Sequence, residues 1–271
     1  MNILKENKKI FVLLLVISVI IVLCVIWLPK KDVELSHYKQ FSDEEIDAKV
    51  SKEYGNDLLY SFYSQNEEYL TNKVLQSFLE FNNISKNDYF NWLKNNGFDT
   101  YNIKFGKTTK HTYKSTNIYS ISCNFGDVNK NINIIETAPE NWHYTIGSFV
   151  DFYNVPIKEN GDSCGVIVNS IYQDLEYVEL DCSLYVDDND YSIIDVTQSD
   201  SVILTLSDKS SIIMATNNIN FDEHILDNKK YIEFKCIFNI PIDLQDTITL
   251  IKFNTFSINE KDISINIKWN R

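Results

Sequence analysis

The chain has 271 residues, a net charge of −13 and only 7 glycines and 4 prolines. The first 39 residues hold six lysines against three acids, a net +3, which leaves −16 on residues 40–271. So acidic a surface repels phosphate backbones and anionic lipid heads, which argues against a nucleic-acid partner.

In chain order the first element is apolar. Ile10 to Leu28 contains no charged residue. Nineteen residues at about 1.5 Å rise span roughly 28 Å, close to the hydrocarbon thickness of a bilayer. Residues 10–28 are therefore expected to form a single transmembrane helix, with Trp27 at the interface. The run is longer than a secretory core region, and no small-x-small cleavage site follows it, so an uncleaved signal anchor is expected. Leu23 before Cys24 stands where lipidation wants a small residue. Residues 1–9 are expected to stay cytoplasmic, with the part after the stem at 29–41 outside the cell membrane.

From Ser42 the pattern is helical. Ser42 and Glu45 fit a capping box, and Ile46, Val50, Tyr54, Leu58 and Phe62 recur every four residues. A second helix is expected from about Glu67, with Leu70, Val74, Leu75, Phe78 and Phe81 inward. A third starts at Ser85, carries Tyr89, Trp92 and Leu93, and closes at Asn96–Gly97. The period then falls to two at Tyr101–Phe105, Tyr119–Phe125, Asn131–Ile135 and Trp142–Ile146, which predicts an antiparallel meander.

A linker is expected over residues 150–163, marked by Pro156 and Gly161. From residue 164 onward only strands are expected: Val166–Ile171, Tyr177–Val186, Val202–Leu206, Ser211–Met214, Tyr231–Ile240, Thr247–Phe253 and Ile263–Trp269. Seven short strands with polar turns describe a β-sandwich.

Residues 42–149 resemble the NTF2-like (cystatin-like) superfamily in element order and in the tryptophan of a late strand, Trp142. That resemblance implies an α+β domain of three helices on a curved antiparallel sheet. Residues 164–271 resemble the immunoglobulin-like, DUF4352-type ectodomains of membrane-anchored Firmicutes proteins. The carriers are Val166–Ile171, Leu204–Asp208, Phe238–Pro241 and Ile265–Trp269. The two resemblances imply a Gram-positive cell-surface protein whose ectodomain binds rather than catalyses.

Chemistry-bearing motifs are few. Gly161–Gly165 is similar to a serine-protease nucleophile loop around Ser163. However, His37, His111 and His143 lack the context of a catalytic base, and a turn into the next strand accounts for the residues. Asp187–Asp190 clusters carboxylates, yet without EF-hand spacing it reads as a solvated turn. No C-x-x-C occurs, and no metal or cofactor is expected. Cys182 and Cys236 both point into the expected sandwich core. An inter-sheet disulfide worth roughly 3–4 kcal/mol and a pair of buried free thiols are the two readings. Sparing disulfide use in such surface proteins favours the thiols. Tyr119, Trp142, His143 and Tyr144 are the candidates for a pocket in the NTF2-like cone, with core aromatics as the plainer reading.

These features converge on a non-enzymatic, membrane-anchored extracellular binding protein with a protein or envelope ligand as partner. The open edges of its sheets are the expected docking sites. A small-molecule sensor or enzyme using the cone is one alternative. A subunit of a conjugation or other envelope complex is another.

Overall fold

Val74 and Leu75 are the first departure from expectation. Helix α1 (Lys49–Ser64) buries Tyr54, Leu58, Leu59 and Phe62. The second helix is broken in two, α2 (Glu67–Lys73) and α3 (Gln76–Phe81), because Val74 and Leu75 are extended. Val74 bridges Tyr144 in parallel, and the Leu75 amide donates to the Tyr144 carbonyl at 2.9 Å. An edge of the following sheet thus captures the backbone, and tertiary pairing overrides helical periodicity. A 3-10 turn (Lys86–Asp88) leads into α4 (Tyr89–Asn95). The Ser85 hydroxyl accepts from the Asp88 amide, and Gly97 closes the helix at φ +77°. At the front, Glu45 reaches back to the Ser42 amide at 3.1 Å as the capping box requires.

The structure is a computed structural model describing residues 40–42, 44–46, 49–98, 103–139, 141–154, 156–161, 163–187, 191–198, 200–215 and 222–269. The expected span at Ile10–Leu28 lies outside the described residues. Among them, no helix is long and apolar enough to cross a membrane.

Four strands, β1 (Ile103–Tyr113), β2 (Thr116–Phe125), β3 (Val128–Ala138) and β4 (Asn141–Ile146), pair in simple antiparallel order. One face of this sheet meets the helices through Phe62, whose ring lies 6.0 Å from Phe125 and 5.5 Å from Tyr144. The second sheet holds β5 (Phe149–Tyr153), β6 (Ile157–Asn160), β7 (Cys164–Asp174), β8 (Tyr177–Val186), β12 (Asp222–Leu226) and β13 (Lys229–Asn239). Its order is β12-β13-β8-β7, with β5 and β6 both paired to β7. The third sheet runs β11 (Ser211–Ile213), β10 (Val202–Leu206), β14 (Ile248–Ile258), β15 (Lys261–Lys268), with β9 (Tyr191–Ile193) on β14. The last two sheets share one core, in which Val166, Leu180 and Phe238 of one meet Leu204, Ile251 and Phe253 of the other.

The expected fold class is therefore corrected. Among the described residues the fold is mostly β, about 55% strand and 19% helix, in three antiparallel sheets. An NTF2-like layout of three helices over a sheet is not what forms, and among the described residues of 164–271 nine strands stand where a seven-strand immunoglobulin-like sandwich was expected. The stretch 150–163, read as a linker, holds most of β5 and all of β6, which join the edge of the second sheet. Their register with β7 fixes them there, and Pro156 falls in the gap between them, where no ladder amide is needed.

A short helix, α5 (Ile242–Gln245), completes the joint between the first and second sheets. The Gln245 amide donates to the carbonyls of Asp174 (2.7 Å), Ile240 (2.9 Å) and Tyr177 (3.2 Å). Its own oxygen accepts from Gln173 at 3.0 Å, and the Gln173 oxygen accepts from the Tyr113 hydroxyl at 3.0 Å. Asp243 accepts from the Thr112 amide at 2.5 Å, which pins α5 to β1. Both glutamines are wholly buried. Removing Gln245 as Gln245→Ala leaves several buried groups without partners, and each costs roughly 1–3 kcal/mol. We expect a loss of about 3 kcal/mol, measured as the urea midpoint by tryptophan fluorescence, against about 1 kcal/mol for Tyr113→Phe.

Candidate functional site

The four pocket candidates do not form a cavity together. Tyr119, Trp142 and Tyr144 are buried at 0, 4 and 0% exposure in the layer between sheet and helices. Trp142 packs 6.2 Å from Tyr119 and 6.3 Å from Tyr54. Tyr144 packs 6.4 Å from Tyr89, and its hydroxyl donates to the Leu70 carbonyl at 3.1 Å. The interior of the expected cone is filled with rings. Burial raises the Tyr144, Tyr89 and Tyr54 hydroxyls above the usual phenol range, and pushes Tyr69 up to about 12. Near neutral pH these phenols stay protonated and serve packing rather than proton transfer.

His143 is half-buried and points the other way, as strand alternation requires. Its Nδ1 lies 3.0 Å from the Thr137 hydroxyl. Burial lowers its pKa below 6.5, and the positive charges of Lys73 and Lys86 add to the effect. The unfolded chain therefore takes up this proton first, so stability falls as pH drops through 6.5 and is retained above it. An NMR titration should find the His143 midpoint below 6.5, with the unfolding midpoint declining slightly on the acid side.

Cys182 and Cys236 are fully buried free thiols. They do not face each other across two sheets. They stand on neighbouring strands of one sheet, Cys182 opposite Phe234 and Cys236 opposite Leu180. An immunoglobulin-style inter-sheet disulfide is thereby ruled out. Burial, with the Cys182 thiol beside it, holds the Cys236 thiol well above its usual range and suppresses the reactive thiolate. Iodoacetamide at neutral pH should leave both unmodified in the native protein and label both in denaturant, as read by intact mass.

Ser163 sits in the turn before β7, where its carbonyl accepts from the Asp187 amide at 2.8 Å and Gly161 bonds to Cys164. Neither His111 nor His143 joins it: His111 approaches Asp243 at 3.3 Å. Asp187 pairs with Lys229 at 3.1 Å, while Asp188 to Asp190 lie outside the described residues. Among the described residues no cluster of His, Cys, Asp and Glu suits a metal ion.

The sheet edges differ in how they are protected. β1 carries Lys104, Lys107 and Lys110 and a bulge between Phe105 and Thr108. β4 is covered by Val74 and Leu75. The β5/β6 edge is interrupted, β11 has three residues, and β15 bears Lys261, Asp262 and Lys268. These are familiar ways of blunting an edge. β12 ends differently, in Ile225 at 77% and Leu226 at 56% exposure. The sequence pattern did not reveal this strand, because Asp222–Leu226 has no apolar alternation.

The β12–β13 hairpin is rigidly made. Asp227 and Asn228 both adopt positive φ, 50° and 61°, the turn that matches strand twist. His224 stacks on Tyr231 at 5.3 Å and 6°, Tyr231 lies 5.6 Å from Tyr185, and Lys230 pairs with Glu223 at 3.0 Å. Tyr185 in turn lies across Gly165, where a Cβ would fall 2.4 Å from its hydroxyl oxygen. The hairpin therefore holds two exposed aliphatic side chains on a braced support.

No protein-family model, curated protein or solved structure matches the chain.

Proposed function

We propose that the protein is a non-enzymatic binding protein of the bacterial cell envelope, anchored through Ile10–Leu28, with residues 40–269 outside the cell. Its partner is a protein that adds an extended segment to β12 and packs on Ile225 and Leu226. The observation that carries this reading is the exposure of those two side chains at the end of a sheet edge with no paired strand among the described residues. An edge offers a row of amides and carbonyls for main-chain pairing, and alternate side chains supply specificity. The braced hairpin lowers the ordering cost of binding. The strongly acidic chain favours a partner surface of basic or neutral character.

A photo-crosslinking residue at Ile225 in the intact protein, in its source cells, should capture one recurrent envelope protein. Leu226→Lys should reduce its recovery at least about tenfold, which corresponds to roughly 1.4 kcal/mol. Recovery unchanged by Leu226→Lys, or no recurrent partner, would overturn the reading.

A further inference from the structure

A concave surface lies where the β1–β2 hairpin tip meets β5. It is a half-enclosed cleft of about 380 Å³, toward the lower end of the range for small-ligand sites, roughly 300–1,000 Å³. Its floor is aliphatic, from Leu75, Ile135 and Val150. Glu136, Asp151 and Lys114 line its wall, and one oxygen of Asp151 accepts from the Ser77 hydroxyl and the Phe152 amide.

The placement of Lys114 is specific. It and Ser115 form the β1–β2 turn with φ 49° and 63°, a left-handed conformation that favours glycine or asparagine. The turn holds the Lys114 ammonium 4.9 Å above the Tyr113 ring and 5.5 Å above the Tyr153 ring, and 3.1 Å from the Tyr153 hydroxyl. Tyr113 is itself fixed below by its bond to Gln173. Asp151 is fixed by the Ser77 hydroxyl at 2.9 Å. Burial and the neighbouring Asp151 raise the Tyr153 hydroxyl well above the phenol range, so it remains a donor at every physiological pH. Lys114, Tyr153 and Asp151, from the β1–β2 turn and β5, are thus held in place beside an apolar floor.

A ligand that uses all of them carries an ammonium for the carboxylates, a carboxylate for Lys114, and an apolar body for the floor. We propose that this cleft binds a free L-α-amino acid with an aliphatic or aromatic side chain. The zwitterion satisfies both signs of charge at once, whereas a simple anion would meet Glu136 and Asp151, and a simple amine would meet Lys114. This site is separate from the β12 edge and does not depend on it.

The test is calorimetric titration of the full-length protein in detergent with L-leucine and L-phenylalanine at about 10 mM, where even a millimolar Kd registers. N-acetyl-L-leucinamide, which keeps the side chain and lacks both charges, is the control. The expected result is saturable binding of at least one zwitterion and at least about tenfold weaker binding of the control. Lys114→Gly removes the ammonium at a backbone conformation that glycine prefers, so the fold is kept. It should weaken binding about tenfold, while Leu226→Lys leaves binding unchanged. Binding of neither amino acid, equal binding of the neutral analogue, or full binding by Lys114→Gly would each overturn the proposal.

Discussion

Gln245 holds the first and second sheets in one register. A primary amide offers two hydrogens and one oxygen, and here every one is used inside the protein. Its donors meet carbonyls from the end of β7, the start of β8 and the end of β13. Its acceptor passes through Gln173 to the Tyr113 hydroxyl, at the tip of the first sheet. In a low-dielectric interior such a chain is strong when complete and costly when broken. Directionality matters as much as strength, because apolar contact alone would let the first sheet slide over the end of the second. The small apolar cluster around it, Ile118, Ile135, Val150, Leu175 and Ile242, excludes water from the chain without fixing an angle.

Asn133 makes the companion joint. Its amide nitrogen donates to the Gly147 and Phe149 carbonyls at 3.1 and 3.0 Å, and Thr145 donates to Phe149 at 2.6 Å. These bonds steer the chain out of β4 and directly into β5. With the two joints in place only Gly147 and Ser148 separate the last strand of the helix-covered sheet from β5. Composition could not show this, since Asn abounds throughout the sequence, Gln is scarce, and only position makes these few structural.

Elements governed by local chemistry were legible in the sequence. The Ser85 cap, the Gly97 closure and the alternation of Tyr177–Val186 depend on neighbours a few residues away. What was missed depends on distant partners. Residues 108–112 are polar and show no strand rhythm, yet they pair along β2. Val74 and Leu75 read as helical until an edge strand claims them. Of the candidate site residues, Tyr119, Trp142 and Tyr144 were visible as aromatic, but whether rings enclose a space or fill it is decided by Tyr54, Phe62 and Tyr89 from the helices. Cys182 and Cys236 were visible as core positions, but strand order alone puts them in one sheet rather than two. Lys114 and Ile225 left no mark in sequence, since an exposed lysine and an exposed isoleucine are commonplace until a turn holds each in place.

The strand order of the second sheet also sets how the two surfaces relate. β12 is one of its edges and β5, which contributes Val150, Asp151 and Tyr153 to the cleft, is the other. Four interstrand spacings of about 4.8 Å separate them by roughly 19 Å. At that distance, with no shared partners, substitutions act independently. Coupling between an occupied cleft and a docked strand therefore requires a change in the sheet itself. The groups placed to transmit one are few: Gly165 admits Tyr185, Tyr185 meets Tyr231, and Tyr231 meets His224 on the edge strand. That row crosses the sheet from β7 to β12. It stops one strand short of β5, because the residues of β7 that pair with β5 lie at the other end of that strand from Gly165. The geometry thus separates the two surfaces, and a ligand in the cleft acts on the edge only through the stability of the whole fold.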